Sequence, residues 1–165
     1  VPTDGWMDQM RHTMQAMQVW RRGVVDLVEV LESDQKGRIY GLACYLLSKG
    51  EYHYLSLNYR NTSAVYTPEL DLTVGPPIET YPDPTLYRRA SGLYGRRFEQ
   101  ALVLLNPGDE TFFETLPTTM YRVDPVGGMV PELGGDGYLT YTPVTSVTLG
   151  PWSAAILLDS TEGQP

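Results

Sequence analysis

The run VVDLVEVLE, from Val24 to Glu32, carries the residues best placed to do chemistry. Its β-branched apolar residues predict a strand, and the far end of that strand bears Glu29 and Glu32, followed by Ser33-Asp34. A carboxyl group at a strand end can give a proton to a reacting group or take one from it, so Glu32 is the first catalytic candidate and Glu29 the second. The plain alternative is a solvated strand end, since spacing alone shows neither a raised pKa nor a partner carboxylate. Asp26 falls in mid-strand, where a buried hydrogen bond or a helix-facing position is the better expectation.

Other reactive side chains offer less. His12 lies on the polar side of an amphipathic segment and His53 stands between tyrosines, best read as a packed strand histidine. No GxSxG elbow accompanies either of them. Cys44, the single cysteine, permits no intrachain disulfide, sits in the apolar run YGLACYLL and has no basic neighbour to activate it. No Cys/His spacing suits zinc, and the spacing of Glu132 and Asp136 fits no calcium loop, so neither a metal nor a cofactor is expected. The Gly-rich PVGGMVPELGGDG lacks the Lys-Ser/Thr of a phosphate-binding loop and reads as a connection between strands.

Composition narrows the classes further. With 165 residues and 42% apolar content the chain can bury a core. A formal charge of −8, with basic residues clustered only as the pairs Arg21-Arg22, Arg88-Arg89 and Arg96-Arg97, argues against a nucleic-acid partner. No apolar run of about 18 residues predicts a membrane span. The opening at Val1, without initiator methionine or signal-peptide pattern, suggests a processed product or a fragment and assigns no cellular location.

The elements that must position these residues change character along the chain. Trp6, Met10, Met14, Met17 and Trp20 recur at helical spacing, with Thr3 or Asp4 as N-cap and Gly23 as the stop. The Val24 to Glu32 strand follows, with too little alternation for one open face. SDQKGR reads as a polar loop, IYGLACYLLSKG as a second helix capped by Gly50, and Glu51 to Tyr59 as a second strand. Strand, helix and strand in succession predict a parallel βαβ unit over residues 1–60. Residues 61–92, rich in Pro, Tyr and Gly, read as an extended linker. From 93 to 165, short strands separated by turns predict an antiparallel β-sandwich, so the fold class is α/β followed by all-β. Within it, Phe98 to Asn106 and Thr111 to Leu116 are expected to form a hairpin about the turn Asn106-Pro107-Gly108-Asp109.

Several pieces together resemble the C-terminal end of (β/α)8-barrel glycoside hydrolases: TVGPP at 73–77, YGRRFEQALVLLNPG at 94–108, and VTLGPWSAAILL at 147–158. The W-x-x-Q-M of Trp6 to Met10 and YGLACYLLSKGEYHYLSL at 40–57 are similar to the last barrel helices and strands of the same proteins. The resemblance covers nearly the whole chain. It implies a carbohydrate-active protein whose sandwich is an accessory domain, with Arg96, Arg97 and Glu99 at the edge or the domain contact. A full barrel takes about 250 residues, so the resemblance also implies an incomplete barrel and a missing second carboxylate. Glu32 would then sit near the mouth. Tyr52, Tyr54, Tyr59 and Tyr66 would rim it, where flat rings stack on sugars, although such rings equally anchor chain across a domain contact.

The implied partners are a glycan and either the remainder of a parent barrel or further copies of the chain. A self-contained carbohydrate-binding or assembly module without chemistry is the alternative. An independent small hydrolase using Glu29 or Glu32 as its acid is a third reading.

Overall fold

The computed structural model describes residues 4–18, 23–30, 34–59, 63–64, 67–127 and 137–165. Helix α1, Asp4–Gln18, buries Trp6, Met10 and Met14, one turn apart, as their spacing predicts. Trp20, Arg21 and Arg22 lie outside the described residues. Strand β1 spans Val24–Val30, helix α2 Gln35–Ser48 and strand β2 His53–Tyr59. The two strands pair in parallel from Val24↔His53 to Val30↔Tyr59, which gives the expected βαβ unit. A two-residue β3, Ser63–Ala64, adds antiparallel to the far end of β2.

Helix α2 departs from expectation at both ends. It begins at Gln35, so most of SDQKGR is its first turn rather than a loop. Asp34 accounts for this: its carboxylate accepts from the Gly37 amide at 2.7 Å, satisfying one of the unpaired donors of a helix start. At the other end Gly50 does not take the left-handed conformation of a glycine cap, since the positive-φ glycines among the described residues are Gly75, Gly92, Gly127 and Gly163. The last carbonyls are satisfied instead by an arginine from the second half of the chain. Arg96 Nη1 donates to Leu46 O at 3.0 Å, Leu47 O at 3.1 Å and Lys49 O at 2.8 Å.

Residues 67–92 contain two 3-10 turns, Pro68–Asp71 and Pro84–Tyr87, and bury Glu69, Val74 and Tyr87. Glu69 receives a bidentate contact from Arg38 of α2, 2.6 Å from Nε and 3.0 Å from Nη2, with both side chains out of solvent.

Five antiparallel strands follow: β4 Tyr94–Arg97, β5 Ala101–Asn106, β6 Phe112–Val126, β7 Tyr138–Leu149 and β8 Ser153–Leu158, in spatial order β4-β5-β8-β6-β7. The chain is thus mixed α/β first and all-β second. The hairpin is not the expected one. Strand β5 pairs with β4 and β8, and β6 pairs with β7 and β8, so Asn106-Pro107-Gly108-Asp109 joins strands that are not neighbours. The tight turn lies instead at 98–100, closed by Phe98 N donating to Ala101 O at 2.7 Å.

Asn106 is the physical reason. Its side chain is fully buried: Oδ1 accepts from Gly108 N at 3.1 Å within the turn, while Nδ2 donates to Glu110 O at 2.7 Å and, far along the chain, to Leu149 O at 3.1 Å and Gly150 O at 2.7 Å. The residue fastens an arch between strands rather than a hairpin.

The unbroken apolar run of β5 has a direct cause. Val103 and Leu105, with Ile156 and Leu158 of β8, face Ala43, Leu46 and Leu47 of α2. Leu102 and Leu104, with Ala155 and Leu157, face Leu116, Met120, Val147 and Leu149 of β6 and β7. A strand covered on both faces cannot alternate with polar residues.

Candidate functional site

Side-chain alternation along β1 and β2 separates two surfaces of the parallel pair. Asp26 and Val28 of β1, with His53, Leu55 and Leu57 of β2, lie on the helix side; Val28 packs so close to α2 that a Cβ on Gly41 would fall 2.7 Å from Val28 Cγ1. On the other face, two described side chains are open to solvent. Val25 and Tyr54, cross-strand neighbours near the N-terminal end of the pair, are 56% and 58% exposed, where a parallel pair is usually covered on both faces. Strand β1 also stands at the edge of its sheet, with β2 as its neighbour.

On the helix side, His53 Nε2 lies 2.8 Å from Asp26 Oδ2, and the imidazole packs on Tyr45 with ring centroids 4.7 Å apart. The Tyr45 hydroxyl donates to His53 O at 3.1 Å. Asp26 therefore faces the helix side, as one of the two expectations for it had it, in a part-buried hydrogen bond, and His53 is the packed strand histidine. Its Nδ1 is buried without a partner among the described residues. Burial pushes the Cys44 thiol up to about 11, which keeps it protonated and unreactive near neutral pH.

Glu29 stands in the last part of β1, opposite Asn58. Its side chain, that of Tyr59, and the whole of Glu32 and Tyr66 lie outside the described residues. Tyr52 is exposed and immediately precedes β2, at the end of the pair opposite Glu29. Tyr54 stands four residues before Asn58, about 13 Å along the strand. Tyr52 and Tyr54 are thus solvent-facing but are not gathered around Glu29.

Two further groups that fasten α2 are the Arg38–Glu69 pair and the arginine cap at its end. No local pattern announces either, because each partner lies far away along the chain. Arg96, one of three Arg-Arg pairs, does sit at the expected contact between the two halves. Arg97 pairs with Asp159 at 2.5 Å, not with Glu99.

A parallel βαβ unit is thus joined to an antiparallel sheet. Residues 5–102, more than half of the chain and reaching from α1 into β5, match the hypothetical glycosyl hydrolase family 15, and the chain belongs to that family. No curated protein and no solved structure matches it.

Proposed function

We propose that this chain is the C-terminal part of a carbohydrate-active, glycoside hydrolase-like protein. In this reading residues 1–60 supply closing elements of a (β/α)8 barrel, 61–92 link them, and 93–165 form an accessory β-sandwich. The observation that carries the reading is a pair of exposed side chains on the parallel pair, Val25 on the edge strand β1 and Tyr54 on its neighbour β2; beyond β1 further strands of a barrel would continue the sheet. Family membership supplies the carbohydrate class.

The chemistry follows from barrel geometry, in which acid and base project from the C-terminal ends of different strands. Glu32, or Glu29 before it, would be one carboxylate of the pair, and the second would come from a strand outside this chain. Tyr52, Tyr54, Tyr59 and Tyr66 would hold sugar rings. The partner is the rest of the barrel, and no nucleic acid or membrane enters the account. The test is hydrolysis of a glycan panel by the assembled protein carrying Glu32→Gln or Glu29→Gln. Removing an acid–base group is expected to lower kcat by roughly 100-fold or more. Unchanged rates in both variants would remove these carboxylates from the mechanism.

A second reading, a self-contained carbohydrate-binding or assembly module, is favoured by one observation. A single hydrophobic cluster runs from Trp6 of α1 through Leu47 and Val103 to Leu158 of β8, so the chain has a continuous core of its own.

A further inference from the structure

Over residues 112–115 strand β6 pairs with β7 alone, because β8 reaches it only at Tyr121 and Arg122. Beside this stretch and the segment 86–91 lies an open cleft of about 510 Å³, within the size range of small-ligand sites. Its walls carry two apolar side chains that the fold does not cover, Leu86 at 55% and Phe113 at 58% exposure. Its floor is held by side-chain hydrogen bonds. Arg89 donates to Glu114 through Nε at 2.7 Å, and Ser91 donates to the other Glu114 oxygen. Gly95 makes room for this, since a Cβ there would lie 2.6 Å from Arg89 Cδ and 2.8 Å from Leu104 Cδ2.

The charges in the cleft are not equivalent. Glu114 is consumed by Arg89 and Ser91. Glu79 is engaged by the Arg97 amide at 2.9 Å and the Tyr81 hydroxyl at 3.3 Å. Arg88 is exposed, and its guanidinium has no hydrogen-bond or ion-pair partner among the described residues. In a chain of formal charge −8, the uncommitted charge in this cleft is a cation. A free guanidinium suits a carboxylate bidentately, an exposed aromatic ring suits the apolar face of a pyranose, and an open strand edge suits hydroxyl groups.

We infer that the Arg88–Phe113 cleft is a binding subsite for an acidic saccharide, with Arg88 holding a uronate carboxylate and Phe113 stacking on its ring. This rests on the carbohydrate reading above but places a ligand on the antiparallel half, away from Glu29 and Tyr54. The test is titration calorimetry of the full chain with a galacturonic acid tetramer and with a neutral glucose tetramer. The acidic tetramer is expected to bind at least roughly tenfold more tightly than the neutral one, and Arg88→Ala and Phe113→Ala each to weaken it by roughly tenfold.

Both side chains are exposed, so the variants should melt as the parent does, and Tyr138→Ala, at an exposed position outside the cleft, should bind as the parent does. Equal binding of the two tetramers, no binding, or indifference to both cleft substitutions would overturn the inference. Binding lost in Tyr54→Ala yet kept in Arg88→Ala and Phe113→Ala would overturn the cleft while leaving the carbohydrate reading in place.

Discussion

Arg96 shows how much one side chain can hold. It is 1% exposed, takes three carbonyls at the end of α2, and also donates to Glu79 O and Thr80 Oγ1, both at 3.0 Å. Its guanidinium lies 5.5 Å from the Tyr87 ring and 5.4 Å from that of Phe98. Arg96→Met keeps the stem but leaves the helix-end carbonyls unpaired, a loss expected to cost about 3 kcal/mol in denaturant unfolding. Cys44 offers a test at alkaline pH. Its folded pKa, raised by burial from 9.0 to about 11, means that the folded state holds its proton longer than the unfolded state. The associated stability is full below pH 9.0 and is lost as pH rises through about 11. Burial raises the Tyr45, Tyr94 and Tyr141 hydroxyls in the same sense. Stability should therefore be flat with respect to these groups from neutral pH to about 9 and decline above it, and iodoacetamide should label Cys44 at pH 8 only after urea is added.

At the scale of elements, the close approach of α2 to β1 depends on Gly41. Gly41→Ala would press a methyl group 2.7 Å from Val28 Cγ1 and 3.3 Å from Cγ2, and is expected to cost about 1–3 kcal/mol. Val28→Ala in the same chain should return part of that loss; additive destabilisation in a double-mutant cycle would contradict the contact. The apolar stripe of α1 and the parallel strands were legible in sequence because each shows in local spacing. The start of α2 was legible in principle, through Asp34 as a cap, but its polar first turn has the composition of a loop. The arch at Asn106 was not legible. Turn chemistry reports that the chain bends, and only distant carbonyls at Leu149 and Gly150 decide that the flanking strands do not pair. The Asp26–His53 contact likewise becomes visible only once the β1–β2 register is known.

The whole molecule joins two contrasting halves. The central strands β5 and β8 of the antiparallel sheet are packed on both faces, and α1, α2 and residues 67–92 add to a core shared with them. The parallel pair contrasts with them: α2 covers one side, while on the other Val25 of the edge strand β1 and Tyr54 of β2 stand open. Family membership accounts for the first part of the chain without identifying its substrate, and the catalytic reading depends on what continues the sheet beyond β1. Native mass spectrometry of the protein as isolated from its source tests that dependence most directly. The account predicts a complex heavier than the 18.5 kDa chain, the difference supplied by a non-identical polypeptide that Val25→Lys releases. A lone monomer, or an assembly of this chain only, would contradict the barrel reading and leave the self-contained module in its place.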